Sequence, residues 1–259
     1  MKRLRTLPWV LLFTLAARPA LAGLSAAEAL ALVRVVDERQ RNSGDWKGQF
    51  FLQQQEKGKN DLVYDGVYFR RDADDRLMIV FVQPRSERGK GYLRISKNLW
   101  FYDARIGKWE RRTERERIGG TDSNRQDFDE SRLAEEYLAR HSGDATLGRY
   151  RAYVLELRAR PGVDVAYPTL KLWIDQQSRN VLKRQEFAAS GKLLRTSYYP
   201  HWVKVQSPSK GGEVWYPREL RIFDELEPAN RTTMVVREVD LRPLPANIFT
   251  KAWLEAQSR

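Results

Sequence analysis

Few side chains in this sequence are suited to chemistry. The 259 residues include two histidines, His141 and His201, and no cysteine. A transition-metal centre would have to join both imidazoles with carboxylates from distant parts of the chain. The sequence holds no H-E-x-x-H, no G-x-S-x-G and no glycine loop of the kind that cradles phosphate. A Ser-His-Asp triad can draw its members from anywhere, but nothing in the sequence points to one. Asp122, Asn124 and Gln126 resemble the start of a calcium loop. However, Asp127 stands where the sixth-position glycine belongs, and Leu133 where the twelfth-position glutamate belongs. Helix capping explains these acids better. The expectation is no catalytic residue, no metal and no cofactor.

What remains is aromatic content on predicted strands, including Phe81, Trp100, Tyr102, Trp173, Tyr199 and Trp202. Two explanations stay open. Such residues fill the core of any β-sandwich or barrel. They also line ligand cavities, and a large curved sheet covered by only two main helices leaves apolar volume for an acyl chain.

The elements that would position these residues follow from pattern. Lys2, Arg3 and Arg5 precede a short apolar run, Trp9 to Ala17, and an A-x-A ending at Ala22. This predicts a signal peptide over residues 1–22, too short to span a bilayer, and a soluble exported domain over 23–259. Cleavage would remove four cations and no anions, leaving 42 basic and 34 acidic residues, net +8. The charges are dispersed and alternate in sign, as in 110–117, so nucleic acid is not an expected partner. Transient contact with a membrane surface is compatible with the charge.

Ser25 with Glu28 has capping-box spacing and opens a helix with Ala29, Leu32, Val33 and Val36 on one face. Strand patterns then recur every 8 to 12 residues, which predicts a mainly β, α+β fold on a large antiparallel sheet or barrel. Leu77 to Val82 is an unbroken apolar run, which implies a strand buried on both faces or covered on one by another layer. Leu93 and Ile95 alternate with Arg94 and Ser96, and Leu99 to Tyr102 again lacks a polar face. The segment 128–141 reads as a second helix with Leu133, Ala134, Tyr137 and Leu138 on one face and Glu130, Glu135, Glu136 and Arg140 outside. Farther on, Leu155 and Leu157 point inward, Leu172 and Ile174 share a face, and Thr250 caps a terminal helix. Pro168, Pro200 and Pro217 are expected at strand starts or edges.

The succession F-V-Q-P (81–84), R-G-K-G-Y-L (88–93), L-W-F-Y (99–102), I-G-G-T-D-S (118–123) and D-F-D-E-S-R-L (127–133) resembles the outer-membrane lipoprotein-sorting, LolA-like family. So does the ending L-P-A-N-I-F-T-K-A-W-L-E, 244–255. The match is to a divergent periplasmic branch. The resemblance implies an unclosed, strongly curved antiparallel β-barrel of about eleven strands, with helices over the open side. It also implies a concave face that holds acyl chains. Leu77, Ile79, Phe81, Leu93, Ile95, Trp100 and Tyr102 would line that face, with Leu133 and Tyr137 on a lid helix and Leu155, Leu157, Leu172 and Ile174 from the second half.

The function implied is a monomeric periplasmic carrier, not an enzyme. It would take acyl chains of a lipid or lipoprotein from an inner-membrane transporter and shuttle them between envelope membranes. The alternative is a non-enzymatic adaptor of a transporter that carries no lipid.

Overall fold

The computed structural model describes residues 23–113 and 115–257. The expected signal peptide lies outside the described residues. Helix α1 (Ala26–Gln40) starts as its sequence predicts. Ser25 Oγ accepts from the Glu28 amide at 3.3 Å, and the Glu28 carboxylate accepts from the Ser25 amide at 2.8 Å. Reciprocal capping satisfies two donors that a helix start leaves open.

Thirteen strands follow: β1 (Asp45–Gln55), β2 (Leu62–Arg71), β3 (Arg76–Gln83), β4 (Gly91–Ile95), β5 (Asn98–Asp103), β6 (Lys108–Arg112), β7 (Tyr137–Leu147), β8 (Tyr150–Ala159), β9 (Thr169–Asp175), β10 (Val181–Phe187), β11 (Leu193–Ser207), β12 (Gly212–Asp224) and β13 (Arg231–Asp240). They form one antiparallel sheet in the order β6-β5-β4-β3-β2-β1-β13-β12-β11-β10-β9-β8-β7. All but one of the neighbouring pairs are consecutive in the chain. The exception is β1 beside β13, where Phe50 faces Val236 and Leu52 faces Met234. That pairing joins the two ends of the chain at mid-sheet and leaves β6 and β7 as the free edges. The connection 113–136 must therefore cross from one edge to the other.

Buried side chains from both halves, such as Tyr64 and Phe81 with Leu155, Leu172 and Met234, belong to one continuous apolar core. Only a strongly curved sheet brings them together. The architecture is thus the unclosed, mainly β one expected, with thirteen strands in place of about eleven.

Two expectations are corrected. The helix over 128–141 is absent. Helix α2 is the single turn Leu133–Glu136, and Tyr137 begins β7, which pairs with β8 through Ala139 opposite Leu157 and His141 opposite Leu155. Tyr137, Ala139 and His141 also fit strand alternation, and the partner strand decides between the two patterns. In addition, Pro200 and Pro217 lie inside strands. The proline lacks an N–H, and β11 accommodates Pro200 where its pairing with β12 skips from Tyr198 to His201. Pro217 pairs opposite Trp202, next to the same irregularity.

The outer face of β2–β5 carries a second, smaller core. Phe69, Met78, Val80, Leu93 and Tyr102 pack under Ile248, Phe249 and Leu254 of the C-terminal segment. This segment ends in α3 (Lys251–Ala256), capped by Thr250 Oγ1, which accepts from the Trp253 amide at 3.2 Å. Gly91 permits the close approach, since a Cβ there would sit 3.1 Å from Leu254. The apolar run Leu77 to Phe81 follows directly, because β3 has a core on each face, and Val82 beyond it is exposed. Among the described residues no helix is long and apolar enough to cross a membrane.

Leu254 is fully buried. Its replacement by alanine should lower stability by about 2–5 kcal/mol, the usual range for emptying such a site, measured as a shift in urea midpoint. A change of under about 0.5 kcal/mol, typical of a surface position, would contradict this packing.

Candidate functional site

The connection between the free edges does not lie over the barrel mouth as a helix. It enters the concave face as a plug. Gly119 (φ 62°) and Gly120 (φ 74°) take left-handed backbone, and a Cβ on Gly119 would stand 3.1 Å from Tyr64 and 3.2 Å from Phe81. Tyr64 Oη donates to the Gly119 carbonyl at 2.8 Å. Asn124 caps the next turn by accepting from the Gln126 amide at 3.0 Å, and Asp127 accepts from the Asn124 amide at 2.9 Å. Phe128 then drives inward, edge-on to Phe50 at 5.0 Å and to Tyr68 at 5.7 Å. Last, Asp37 of α1 accepts from the Leu133 and Ala134 amides at 3.1 and 2.7 Å, so α1 caps α2 from outside.

Acids of the plug meet arginines of the sheet. The Asp127 side chain is fully buried. It pairs with Arg195 of β11 at 2.5 Å and Arg184 of β10 at 3.2 Å, and both arginines also hold the buried Glu186 at 2.8 Å. On the other half, Asp129 pairs with Arg94 of β4 at 2.8 Å and with Arg125. Arg70 of β2 donates to the Asp129 carbonyl at 3.1 Å, pairs with Asp72 at 2.9 Å, and lies over the Trp46 ring. Arg132 of the plug ties Asp75 and Glu130, each at 2.5 Å.

Burial alone would raise the Asp127 and Asp129 carboxyls. The neighbouring guanidiniums outweigh it: Arg195 and Arg184 hold Asp127 below the usual range, and Arg94, Arg125 and Arg70 bring Asp129 down to about 2. Asp37 and Glu130 shift upward, because burial there exceeds what their hydrogen bonds and cations return.

Between the plug and the sheet lies a cavity of about 370 Å³. Its apolar wall includes Trp46, Tyr199, Trp202, Leu220, Met234 and Val236, and its charged wall includes Arg70, Arg94, Arg132, Asp127 and Arg184. Of the residues expected to line a cavity, Leu133, Tyr137 and Leu172 do so. Leu77, Ile79, Phe81, Leu155, Leu157 and Ile174 share the concave core but do not border the space. Leu93, Ile95, Trp100 and Tyr102 do not face it: they lie on the outer face, under the C-terminal segment. Alternation gives the concave side of those strands to Tyr92, Leu99 and Phe101, with Arg94 at the cavity.

A family model described as "Uncharacterized protein" matches residues 73–256. The chain belongs to that family. No curated protein matches it by sequence. A LolA superfamily protein from Nitrosomonas europaea is similar in structure at a TM-score of 0.73 and 20% identity, over 87% of this chain and 98% of that one. A Vibrio parahaemolyticus domain described as an outer membrane lipoprotein-sorting protein gives 0.76 and 18%, over 89% and 100%. A DUF1329 family protein from Desulfovibrio piger gives 0.79 and 17%, over 88% and 98%. At these identities the likeness establishes the fold.

Within this LolA-like fold the sequence reading missed the inward charges: Arg70, Arg94, Arg184, Glu186 and Arg195. Arg94 was expected to point outward, and Glu130 too, yet both are buried. The available signal was that the second-half strands place Arg184, Glu186 and Arg195 at positions whose register matches inward residues. The two histidines lie apart from the cavity. His141 accepts from the Leu24 amide at 3.1 Å and meets Asp144 at 3.0 Å, while His201 meets Glu219 at 3.1 Å. Among the described residues no cluster of three His, Cys, Asp or Glu is placed to hold a metal.

Asp127→Asn keeps shape and removes the charge between two buried arginines. The expected loss is about 3–5 kcal/mol, the range for breaking a buried pair from one side, read as a urea-midpoint shift, with faster amide exchange across 118–136. Unchanged exchange there would disconnect Asp127 from the plug. A pH effect follows from Asp129. A folded-state pKa depressed to about 2 from 3.8 stabilises the fold above about pH 4 and loses that contribution as pH falls toward 2. Melting temperature should therefore drop across this window, and less steeply in Asp129→Asn. Parallel curves for the two proteins would refute the assignment.

Proposed function

We propose that this protein is a periplasmic carrier: residues 1–22 direct export, and residues 23–259 form one domain that binds acyl chains of a lipid or lipoprotein and moves them between envelope membranes. The observation that carries this reading is the cavity with one apolar wall under a plug anchored at both free edges of the sheet. The fold supports it, being shared with proteins described as LolA-like and lipoprotein-sorting. Binding is non-covalent, with no catalytic step. An inner-membrane transporter loads the protein, which works as a monomer and touches membrane surfaces transiently.

The volume bears on what fits. About 370 Å³ is near the low end of the roughly 300–1,000 Å³ range of small-molecule pockets. One chain suits it with the plug in place, and bulkier cargo requires the plug to shift. Each buried methylene contributes about 0.8 kcal/mol, so one chain of ordinary length suffices for measurable affinity after the losses of association. The adaptor reading draws on a different observation: plug and ion pairs fill much of the concave face.

The test is extraction of the purified protein with organic solvent, mass spectrometry of the extract, and titration with a fluorescent fatty acid. A stoichiometric lipid or acylated peptide, or saturable uptake that weakens roughly tenfold or more in Met234→Trp, supports the carrier; tenfold corresponds to about 1.4 kcal/mol. An empty protein that takes up no fatty acid supports the adaptor instead.

A further inference from the structure

The inner face of the sheet is charged in a lopsided way. Arg70, Arg94, Arg184 and Arg195 project into it from β2, β4, β10 and β11. Without the plug, their carboxylate partners are Asp72, Asp75 and Glu186. The plug supplies the rest through Asp127 and Asp129. Even with the plug seated, the Nε–H groups of Arg94, Arg184 and Arg195 have no acceptor, although all three atoms are buried. Buried guanidinium donors are normally satisfied, so these three call for an acceptor beyond the plug's carboxylates.

The two halves of the face differ in what adjoins them. Arg184 and Asp127 line the same cavity as Val181, Tyr199 and Trp202. An anion site thus opens directly onto apolar wall. In the plugged state that site holds a carboxylate between two guanidiniums, Arg195 at 2.5 Å and Arg184 at 3.2 Å. Carboxylate and phosphate present similar acceptor oxygens to a pair of arginines. When the plug moves out, a neutral ligand would leave these guanidiniums short of an anion in a low-dielectric interior, which is unfavourable.

We infer that the cargo is an amphiphile with an acyl chain and an anionic headgroup, phosphate or carboxylate, whose charge takes the place of Asp127 between Arg184 and Arg195. The plug then acts as an internal stand-in for the headgroup: its Asp127 and the ligand's anion compete for one site, while the chain occupies the neighbouring cavity. This rests on the carrier reading and narrows it to a class of cargo.

Four probes with one chain length separate the possibilities in the wild-type protein. Palmitate and palmitoyl lysophosphatidylglycerol are anionic, palmitoyl lysophosphatidylcholine is zwitterionic, and monopalmitin is neutral. Dissociation constants from calorimetry at low salt should favour the anionic pair over monopalmitin by roughly tenfold or more, as expected for one gained charge-assisted hydrogen bond. The margin should shrink at high salt. Tighter binding of the lysophospholipid assigns the headgroup to phosphate, and tighter binding of palmitate to carboxylate. In Arg195→Gln the anionic and neutral constants should converge. If that variant does not fold, the wild-type comparison stands without it. Equal affinity for all four probes in the wild-type protein overturns the inference and leaves the carrier reading intact, and so does a folded Arg195→Gln that keeps the full anionic preference. Failure of every probe to bind overturns both.

Discussion

The pairing of β1 with β13 sets the geometry of everything else. It joins the beginning and end of the chain in the middle of the sheet, so the free edges fall at the centre of the sequence. A chain that leaves β6 can reach β7 only by crossing the open side of a curved sheet. A connection of this length without much regular structure is unusual in a compact domain and tends to be functional. Here it is a plug whose depth is set by Phe128 and whose position is set by charges. The cavity is the volume that the plug leaves unfilled.

So many charges inside a β-barrel need a physical reason. Replacing buried ion pairs with well-packed apolar groups is often neutral or stabilising, so Asp127 and Asp129 do not improve stability over a greasy plug. They differ from apolar contacts in being conditional and specific. Asp127 fits only where Arg184 and Arg195 converge, and Asp129 only beside Arg94, so the plug has one register on each half of the sheet. Glu186 fits the same logic. It holds Arg184 and Arg195 beside Asp127, with both contacts at 2.8 Å.

Local features were readable from the sequence and non-local ones were not. Ser25 with Glu28 and Thr250 with Trp253 act within three residues of each other, and both caps form as their spacing implies. The apolar run Leu77 to Val82 announced added cover for its strand, and Leu77 to Phe81 are buried while Val82 is exposed. It could not say that the outer cover comes from Ile248, Phe249 and Leu254, near the far end of the chain. That missing layer explains the inverted reading of β4 and β5. With a core on each side, Leu93 and Arg94 are both buried, and polarity no longer tells inside from outside. Arg94 is stable inside because Asp75 beside it and Asp129 from the plug both meet it. The helix expected over 128–141 failed for a related reason. Leu133, Ala134, Tyr137 and Leu138 fit helical spacing, but from Tyr137 onward β8 offers a ladder of hydrogen bonds, which one short helix on a surface could not match.

A sheet that stays open for its plug must also protect its edges from other strands. Unpaired edges invite association, and charge or irregularity discourages it. On β6, Lys108, Glu110 and Arg111 are exposed, with Arg112 paired to Glu110 at 2.6 Å. β7 is eleven residues long and would be the greater hazard. Its pairing with β8 slips between His141 and Gly143, where Gly143 takes φ 131°. Arg140 leans across to Glu156 at 2.8 Å, and Asp144 to His141 at 3.0 Å. These features interrupt a flat template on the side where the plug begins its return to the sheet. Closing the barrel would have removed both edges, but it would also have removed the path that the plug takes, and with it the cavity between plug and sheet.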